Sequence, residues 1–249
     1  MFENWIVLPL SYYNFIQSSF IVFKSKTEKI IKIRKKSTDL MALIHVWLIE
    51  EYKKPGFEIN SNDTVVDVGA HIGLFTLYAS QFCTSGKIFS FEPIKENYEL
   101  LIENIKLNHL DQVKPFNTAV SSSDTPVKLF INEDKSGHSM FSQSSHSVMT
   151  ASISLQKFFD ENRIDTCNFL KLDCEGAEYE IIKNFPLEYF KKIDKIIIEY
   201  HMADSHPELL SELKEILTNG KFHIETKTLF PDIGFLYAKK LDFSNNSQS

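Results

Sequence analysis

Acidic side chains follow four apolar segments of the 249-residue chain, at the points where those segments end. They are Asp67, Glu92, Asp173 and Glu199. A carboxylate can accept hydrogen bonds from hydroxyl groups, pair with a cation or remove a proton from an acceptor. The carboxyl ends of parallel strands meet at one edge of a sheet, where open α/β sheets bind their ligands. The pattern therefore predicts one binding and catalytic rim, with Glu175 and His201 nearby.

A glycine turn follows the first of these segments, Thr64–Val68. Gly69 and Gly73 separate this β-branched strand from an apolar helix pattern, and such a turn brings bare backbone against a small ligand. The dinucleotide fingerprint G-x-G-x-x-G is absent, because His71 occupies its middle glycine position. Glu92 ends the next strand and is suited to accept hydrogen bonds from both hydroxyls of a ribose. These residues alone fit NAD as well as S-adenosylmethionine.

Three motifs resemble those of the FkbM family of S-adenosylmethionine-dependent methyltransferases. They are Asp67–Gly73 (Asp-Val-Gly-Ala-His-Ile-Gly), Phe91–Pro93 (Phe-Glu-Pro) and Leu170–Glu178 (Leu-Lys-Leu-Asp-Cys-Glu-Gly-Ala-Glu). They occur in the family's order, and the resemblance runs from about Ile30 to Ala238. The family usually has Asn at the position of His71.

The resemblance implies an α/β fold of the Rossmann-like class I methyltransferase type. Its sheet would be doubly wound, seven-stranded and mostly parallel, with an antiparallel closing hairpin and an N-terminal helical and strand extension. The resemblance also implies S-adenosylmethionine as the cofactor. The acceptor would be a small-molecule or glycan hydroxyl, on a sugar, a glycan or a secondary metabolite.

The predicted cofactor contacts come from the turns that follow the strands. The set is Asp67, Gly69, Ala70, His71, Gly73, Glu92, Thr118, Ala119 and Asp173. The turn Asn117–Ala119 ends the third strand and, by resemblance to the same turn in related enzymes, should lie beside the adenine. The alternative for this segment is an ordinary turn without a role in binding.

Four residues are candidates for chemistry on the acceptor: Asp173, Glu175, Glu199 and His201. Asp173 is the first choice for orienting the acceptor or for catalysis. Its alternatives are pairing with the cofactor's ammonium group and capping the next helix, and a capping role is open for Glu175 as well. His201 is either a general base, because its ordinary pKa is near neutrality, or a structural residue. A divalent cation on Asp173, Glu199 and His201 is a further hypothesis, by resemblance to catechol-type O-methyltransferases, although no tight ligand spacing supports it.

Composition narrows the partners and the compartment. The net charge of −6 argues against nucleic acid as a partner. The three cysteines, Cys83, Cys167 and Cys174, show no metal-binding spacing, so we expect reduced thiols and a cytoplasmic protein. Whether the chain forms a homo-oligomer is left open.

Residues 1–60 are predicted to form an N-terminal extension, followed by a methyltransferase domain (61–241) and a flexible tail (242–249). The extension should contain one or two short amphipathic helices in Phe2–Phe20, an edge strand at Lys29–Arg34 and a helix over Leu40–Lys53. Lys24–Lys36 includes seven basic residues, and lysines on an edge strand discourage unwanted pairing. Because aromatic and basic segments adjoin, a contact of residues 1–36 with a membrane surface or a partner is the alternative.

The rest of the chain alternates between strand and helix patterns. Strands are predicted at Lys87–Phe91, Val113–Phe116, Val127–Ile131, Cys167–Leu172, Lys195–Ile198, His223–Lys227 and Phe235–Ala238. Helices are predicted from Ile72 to about Phe82 and at Ile94–Asn108, Leu155–Asn162, Ala177–Asn184 and Pro207–Asn219. Glu133–Ser147 is rich in Ser, Gly and His and interrupts the alternation, so it is interpreted as a loop facing the substrate or, alternatively, as a disordered loop. His138 and His146 in this segment are interpreted as solvated loop residues rather than catalysts.

Two other functional classes compete with a methyltransferase. A nucleotide-cofactor oxidoreductase could use the same architecture, but the missing middle glycine and the lack of a Tyr/Lys or Cys/His pair count against it. A non-catalytic module could retain the glycine turn as scaffold and bind partners through residues 1–36.

Overall fold

The computed structural model describes residues 2–13, 15, 17–130 and 147–241, in which strands and helices alternate as the sequence predicts. The strands are β1 (Phe20–Lys24), β2 (Ile30–Arg34), β3 (Thr64–Val68), β4 (Lys87–Phe91), β5 (Val113–Phe116), β6 (Ala119–Ser121), β7 (Val127–Phe130), β8 (Ser147–Thr150), β9 (Ser152–Ser154), β10 (Phe169–Leu172), β11 (Lys195–Tyr200), β12 (Phe222–Phe230) and β13 (Ile233–Lys240). The helices are α1 (Val7–Tyr12), α2 (Asp39–Leu43), α3 (Leu74–Ala79), α4 (Lys95–Leu107), α5 (Leu155–Glu161), α6 (Glu178–Lys183) and α7 (Pro207–Asn219). A π-helix (Ile44–Leu48) and a 3-10 helix (Leu187–Lys192) are also present.

Seven strands form the central sheet in the order β12-β13-β11-β10-β3-β4-β5. The five strands from β11 to β5 are parallel, while β13 runs antiparallel to both β11 and β12. Val66 in β3 pairs with Leu170 in β10 on one side and with Phe89 in β4 on the other. The carboxyl ends of β3, β4 and β10 therefore lie side by side. This confirms the predicted fold class, including its antiparallel closing hairpin.

The central strands are buried on both faces, which explains their continuous apolar sequences. All four residues of β10 and the last four of β3 are buried. One apolar layer includes Phe158 and Phe159 of α5 with residues of α6 and α7, and the other includes Trp47 and Phe75. The crossover helices thus cover both faces of the sheet, as in a doubly wound fold.

The N-terminal part contains a short helix and a two-stranded ribbon. Within the described residues of the segment 2–20, α1 is the one helix, and β1 begins at Phe20. The basic segment is a strand as predicted, but β2 pairs with β1 in a separate two-stranded ribbon and not at the edge of the central sheet. Side chains of α4 pair with the outer edge of β2: Asn104 and Asn108 accept from the main-chain N–H groups of Lys32 and Ile30 at 2.8 Å each. Both asparagines also donate to the carbonyl groups of the same two residues. These amide groups therefore occupy the backbone hydrogen-bonding groups at the edge of β2, while the lysine charges discourage pairing with another strand.

The helix predicted over Leu40–Lys53 is also shorter than expected. It consists of α2 and the following π-helix, which ends at Leu48. Glu50 then adopts a left-handed conformation with φ of 54°, which turns the chain away from the helix axis. The indole of Trp47 donates to the carbonyl oxygen of Leu74 at 3.2 Å, so this segment is fixed against the start of α3.

Three short strands were not predicted: β6, β8 and β9. β6 pairs with β9, and β7 pairs with β8, in two small two-stranded sheets. The predicted loop Glu133–Ser147 lies outside the described residues except for Ser147, and so do the tail 242–249 and both loop histidines. The division into an extension (1–60) and a catalytic domain (61–241) stays a prediction. None of the helices in the described part of the chain has the length and apolar composition needed to cross a bilayer.

Candidate active site

A cavity of about 350 Å³ opens at the carboxyl ends of the central strands. Eight of the predicted site residues line it: Gly69, Ala70, His71, Glu92, Ala119, Asp173, Glu175 and Glu199. Four others are not among the lining residues: Asp67, Gly73, Thr118 and His201. Turns that are distant in sequence thus share one cavity, as expected for ligands bound at the carboxyl edge of an open α/β sheet.

The glycine turn packs tightly between its neighbours. The main-chain N–H groups of Gly69 and Ala70 donate to the carbonyl oxygen of Phe91 at 3.0 and 2.8 Å. Gly69 has φ of 76°, and a Cβ atom there would lie 1.8 Å from the carbonyl oxygen of Asp173. Only glycine therefore fits at position 69. Gly73 has φ of 90°, and a Cβ there would lie 2.6 Å from Leu101, so this glycine serves packing against α4.

Glu92 is buried in the cavity wall at the end of β4. Its Oε2 accepts from the main-chain N–H of His71 at 2.8 Å, and its Oε1 accepts from that of Ile94 at 2.9 Å. Burial raises the pKa of Glu92 to about 7, although these hydrogen bonds, Asn97 and the charge of Lys171 favour the ionised form. A carboxylate has about four acceptor positions, so Glu92 can also accept from ligand hydroxyls.

His71 connects the glycine turn to the N-terminal ribbon. Its Nε2 lies 3.1 Å from Nη2 of Arg34 and 3.4 Å from Oδ1 of Asp39. Arg34 donates to both carboxylate oxygens of Asp39, from Nε at 2.9 Å and from Nη2 at 2.8 Å. Burial works against the charged form of Asp39, but Arg34 and His71 hold its pKa below the usual value. The predicted extension therefore helps to fix the turn that lines the cavity.

Asp67 lies beneath the cavity and pairs with a buried lysine. Nζ of Lys171 is 3.2 Å from Oδ1 of Asp67 and 3.4 Å from Oδ2 of Asp173, and it donates to the carbonyl oxygen of Gly69 at 2.8 Å. Thr76 donates to Oδ2 of Asp67 at 2.7 Å. Burial alone would lower the pKa of Lys171, but the two carboxylates outweigh it and raise the pKa above its ordinary value. Lys171 is thus a fixed cation under the glycine turn.

Acidic groups also gather at the other end of the cavity. Asp173 and Glu199 retain 27% and 22% side-chain exposure, so a ligand in the cavity can reach both. Tyr52 donates to Oε2 of Glu199 at 3.5 Å. Burial and the charge of Asp173 raise the pKa of Glu199 above its ordinary value, although His201 and Lys171 lower it. Crowded carboxylates of this kind favour a cationic ligand or a shared proton.

His201 lies behind this acidic end. Its main-chain N–H and its Nδ1 both face Oε1 of the fully buried Glu178, at 3.0 and 3.1 Å. Its Nε2 lies 3.6 Å from Glu175 and 4.0 Å from Glu199. Burial would lower the pKa of His201, but Glu178, Glu175 and Asp173 raise it to about 10. The imidazole is therefore protonated near neutral pH, which favours its structural interpretation over that of a base.

The cation hypothesis stays a prediction with a defined geometry. Asp173, Glu199 and His201 each offer one ligand atom, and these atoms lie within 4.8 Å of one another. Such a donor set of two carboxylates and one imidazole would suit Zn²⁺ or Mn²⁺, and binding would require the protonated His201 to release its proton.

The predicted adenine turn is divided between two environments. Ala119 is buried and lines the cavity, and its main-chain N–H donates to the carbonyl oxygen of Ala151 at 2.9 Å. Thr118 is half-buried outside the lining. The side chain of Asn117 donates to the carbonyl oxygens of Glu92 and Pro93 at 2.9 and 3.0 Å, so the turn is tied to the end of β4.

Sequence reasoning missed several lining residues. They are Thr38, Met41, His45, Glu51, Tyr52 and Lys171. Lys171 had a signal, because a lysine within a strand buried on both faces requires an anionic partner. The other five come from the N-terminal segment, and their sequence pattern carries no indication that they face this cavity.

The sheet order, the glycine turn and the carboxylate at the end of β4 define a class I S-adenosylmethionine-dependent methyltransferase. The family model described as the methyltransferase FkbM domain matches residues 67–222. The chain therefore belongs to the FkbM family of methyltransferases, as its motifs predicted, and the oxidoreductase alternative does not apply.

Relatives and a solved structure agree with this assignment. Methyltransferase sdnD of Sordaria araneosa is 28% identical over 56% of this chain and 66% of its own length, so the chain spans just under two thirds of that relative. Hexuronic acid methyltransferase AglP of Haloferax volcanii is 24% identical over 74% of this chain and 73% of AglP. The crystal structure of methyltransferase FkbM from Methylobacillus flagellatus shares the fold, with a TM-score of 0.51 and 17% identity over 73% of this chain and 44% of that one.

Proposed function

We propose that this protein transfers a methyl group from S-adenosylmethionine to a hydroxyl oxygen of a sugar, glycan or secondary metabolite. The observation that carries this proposal is the single cavity that joins the glycine turn and Glu92 to the carboxylates Asp173 and Glu199. The names of the relatives, which include a hexuronic acid methyltransferase, support an acceptor of this class.

The residues fit the cofactor. Glu92 can accept hydrogen bonds from the two ribose hydroxyls. Such hydrogen bonds favour the ionised form of this buried carboxyl group. Gly69 and Ala70 line the cavity with no side chain and with a single methyl group, which allows a close approach, and Ala119 provides an apolar contact for the adenine. The acidic end of the cavity suits the cofactor's ammonium and sulfonium. When bound, S-adenosylmethionine supplies an electrophilic methyl group.

Glu199 is the proposed proton acceptor. Methyl transfer to a neutral hydroxyl requires that its proton be removed or shared as the new C–O bond forms. Glu199 lines the cavity and has a pKa raised to about 8, so it accepts a proton best at slightly alkaline pH, and a general base works best when its pKa is near the working pH. His201, already protonated, would instead hold the negative charges of the neighbouring carboxylates in position. Asp173 would orient the acceptor or the ammonium group of the cofactor.

The first test is calorimetry with S-adenosylhomocysteine and, separately, with NAD. We expect binding of S-adenosylhomocysteine and none of NAD. Transfer of labelled methyl groups to a panel of sugars, glycans and secondary metabolites then identifies the acceptor. Binding without transfer to any hydroxyl acceptor would support the non-catalytic alternative and contradict the proposal.

Variants separate binding from catalysis. Glu199→Gln should bind S-adenosylhomocysteine normally and lose methyl transfer by about 10²–10⁴-fold, which is the usual contribution of a general base. Glu225→Gln, an exposed residue paired with Lys54, is the matched control and should retain both functions. Full transfer by Glu199→Gln would refute the assignment of the base. Chelator and added Zn²⁺ or Mn²⁺ belong in the same assay, because a cation effect would support the Asp173–Glu199–His201 site.

A further inference from the structure

The N-terminal segment exposes a cluster of large apolar side chains. Its members are Trp5, Ile6, Leu10, Tyr13 and Phe15, in and around α1. Trp5 and Phe15 are 64% and 77% exposed, so most of their apolar surface is not used for packing within the protein. Contiguous exposed apolar side chains of this kind often mark a binding surface. We call this cluster and the basic residues of Lys24–Lys36 the N-terminal patch.

Hydrogen bonds tie the two parts of the patch together at both ends. At one end, the side chain of Asn4 accepts from the N–H of Lys24 at 2.7 Å and donates to the carbonyl oxygen of Val22 at 2.9 Å. At the other end, the N–H of Lys35 donates to the carbonyl oxygen of Ser19 at 2.9 Å. The apolar segment between these bonds therefore runs alongside β1, with basic residues near each end.

Charge is divided unequally between the patch and the rest of the chain. Residues 1–36 contain seven basic and two acidic residues, for a net charge of +5. Because the whole chain carries −6, the remaining residues carry −11. In the structure, Lys32 pairs with Glu103 and Arg34 pairs with Asp39, so these two carboxylates reduce the net charge at the patch from +5 to +3. The patch is still a positive face with exposed aromatic side chains, whereas the rest of the molecule is negative.

We infer that the N-terminal patch binds the surface of an anionic lipid bilayer. Aromatic side chains next to lysines are typical of protein segments that lie in the headgroup region, where the rings enter the boundary and the lysines meet anionic lipids. A second copy of the chain fits less well, because a two-fold contact through the patch would bring two surfaces together that each remain net positive after the pairing of Lys32 and Arg34.

The patch is adjacent to the candidate active site. Thr38 and Met41 follow Lys36 closely in sequence, and both line the cavity. Met41 is 55% exposed, so this part of the lining reaches the protein surface. Binding through the patch would bring this mouth near the membrane surface.

Vesicle sedimentation with the full chain tests the inference. The protein should bind vesicles of phosphatidylcholine and phosphatidylglycerol, bind vesicles of phosphatidylcholine alone at least about tenfold more weakly, and dissociate in high salt. The double variant Trp5→Ala/Phe15→Ala and the double variant Lys26→Glu/Lys36→Glu should each weaken binding by about tenfold or more. Both sets of side chains are largely exposed, so we expect unchanged thermal unfolding and unchanged binding of S-adenosylhomocysteine.

Matched variants outside the patch control for general effects of charge and apolar surface. Phe230→Ala, at a residue 60% exposed in the closing hairpin, and the exposed Lys191→Glu should leave vesicle binding unchanged. Absence of binding to anionic vesicles would overturn the inference, and so would equal losses in patch and control variants. Sedimentation velocity without lipid provides a further check: a dimer that the patch variants dissociate, together with no vesicle binding, would assign the patch to self-association instead.

Discussion

The ammonium group of Lys171 lies 3.2 Å from Oδ1 of Asp67, and the two residues are 2% and 0% exposed. This pair joins neighbouring strands, because Lys171 in β10 is directly opposite Asp67 in β3. The same ammonium donates to the carbonyl oxygen of Gly69, so the pair supports the glycine turn from below. Asp67, the first residue of the glycine motif, thus stabilises the floor of the cavity through Lys171.

Replacing Lys171 with methionine should destabilise the protein by about 3–5 kcal/mol, because it leaves the buried carboxylate of Asp67 without its cation. Unfolding in guanidinium chloride measures this loss. The second substitution Asp67→Asn in the same background should recover part of it, since a neutral amide no longer needs the pair.

An exposed pair is the control for this prediction. Lys183→Met removes an ammonium 3.0 Å from Glu212, but about half of each side chain is exposed to solvent, so the expected loss of stability is much smaller than at Lys171. Similar losses of stability at Lys171 and Lys183 would mean that the buried carboxylate of Asp67 needs its lysine no more than an exposed carboxylate does.

Gly69→Ala should abolish binding of S-adenosylhomocysteine and cost more than about 3 kcal/mol of folding free energy. It combines the strain of a positive φ with a Cβ atom 1.8 Å from the carbonyl oxygen of Asp173, which belongs to the backbone and cannot move away freely. Calorimetry and chemical unfolding measure the two effects.

Gly56→Ala separates strain from collision. Gly56 has a similar φ of 86°, but its Cβ would meet only the flexible end of Lys239 at 3.3 Å. The expected cost is about 1–2 kcal/mol, with binding retained. If both alanine variants bind alike, the close approach at Gly69 has no functional role.

The central sheet was predictable because each of its inner strands is marked by a short run of apolar residues in the sequence. Thr64–Val68, Lys87–Phe91 and the apolar run after Cys167 form neighbouring strands of the sheet, and each has an acidic residue at its carboxyl end or directly after it. The contribution of the N-terminal segment was not predictable in this way. Tyr52 reaches Glu199 only because the chain turns at Glu50 after the π-helix, and neither the turn nor the contact has a periodic sequence signal.

Long-range pairing explains the remaining differences. The sequence leaves His201 as either a general base or a structural residue, because the choice depends on Glu178, which lies 23 residues earlier in the chain and is fully buried. Likewise, β6 and β9 are only three residues long and exist because they pair with each other. Such short strands carry too little pattern to predict.

Binding of S-adenosylhomocysteine should weaken as the pH falls below 7. Burial raises the pKa of Glu92 to about 7, and the ribose hydroxyls require its ionised, accepting form. The Kd should therefore increase by about tenfold per pH unit below 7 and level off above it. Calorimetry between about pH 5 and pH 8 tests this expectation. Glu92→Gln, which is neutral throughout, should bind weakly at every pH, and an unchanged pH dependence in that variant would assign the titration to another group.

The Glu92 carboxyl group should also make the folding stability depend on pH. Low pH weakens cofactor binding but should increase this group's contribution to stability. A carboxyl whose pKa is higher in the folded protein than in the unfolded chain binds more protons when folded, so stability decreases as pH rises. For Glu92 this contribution is complete below pH about 4.5 and is lost as the pH passes about 7, with a total of about 3 kcal/mol. The difference in unfolding free energy between wild type and Glu92→Gln should show this slope. A difference that does not vary with pH would mean that the pKa of Glu92 is the same in the folded protein as in the unfolded chain.

His71→Asn should retain cofactor binding, although the side chain changes. The main-chain N–H of residue 71 donates to Glu92, whereas the imidazole contacts Arg34 and Asp39. Asparagine keeps this N–H and tolerates the left-handed φ of 52° at this position. The Kd for S-adenosylhomocysteine should therefore change by less than about tenfold, the contribution of one hydrogen bond.

His71→Pro is the counterpart that removes the main-chain donor. Proline also fixes φ near −65°, which is incompatible with the conformation at this turn, so binding should be lost. If His71→Asn loses binding as completely as His71→Pro, the imidazole itself holds the cofactor. Partial loss in His71→Asn and full loss in His71→Pro would show that the backbone of the turn provides most of the contact with Glu92, while the Arg34–Asp39 pair adjusts the position of the side chain.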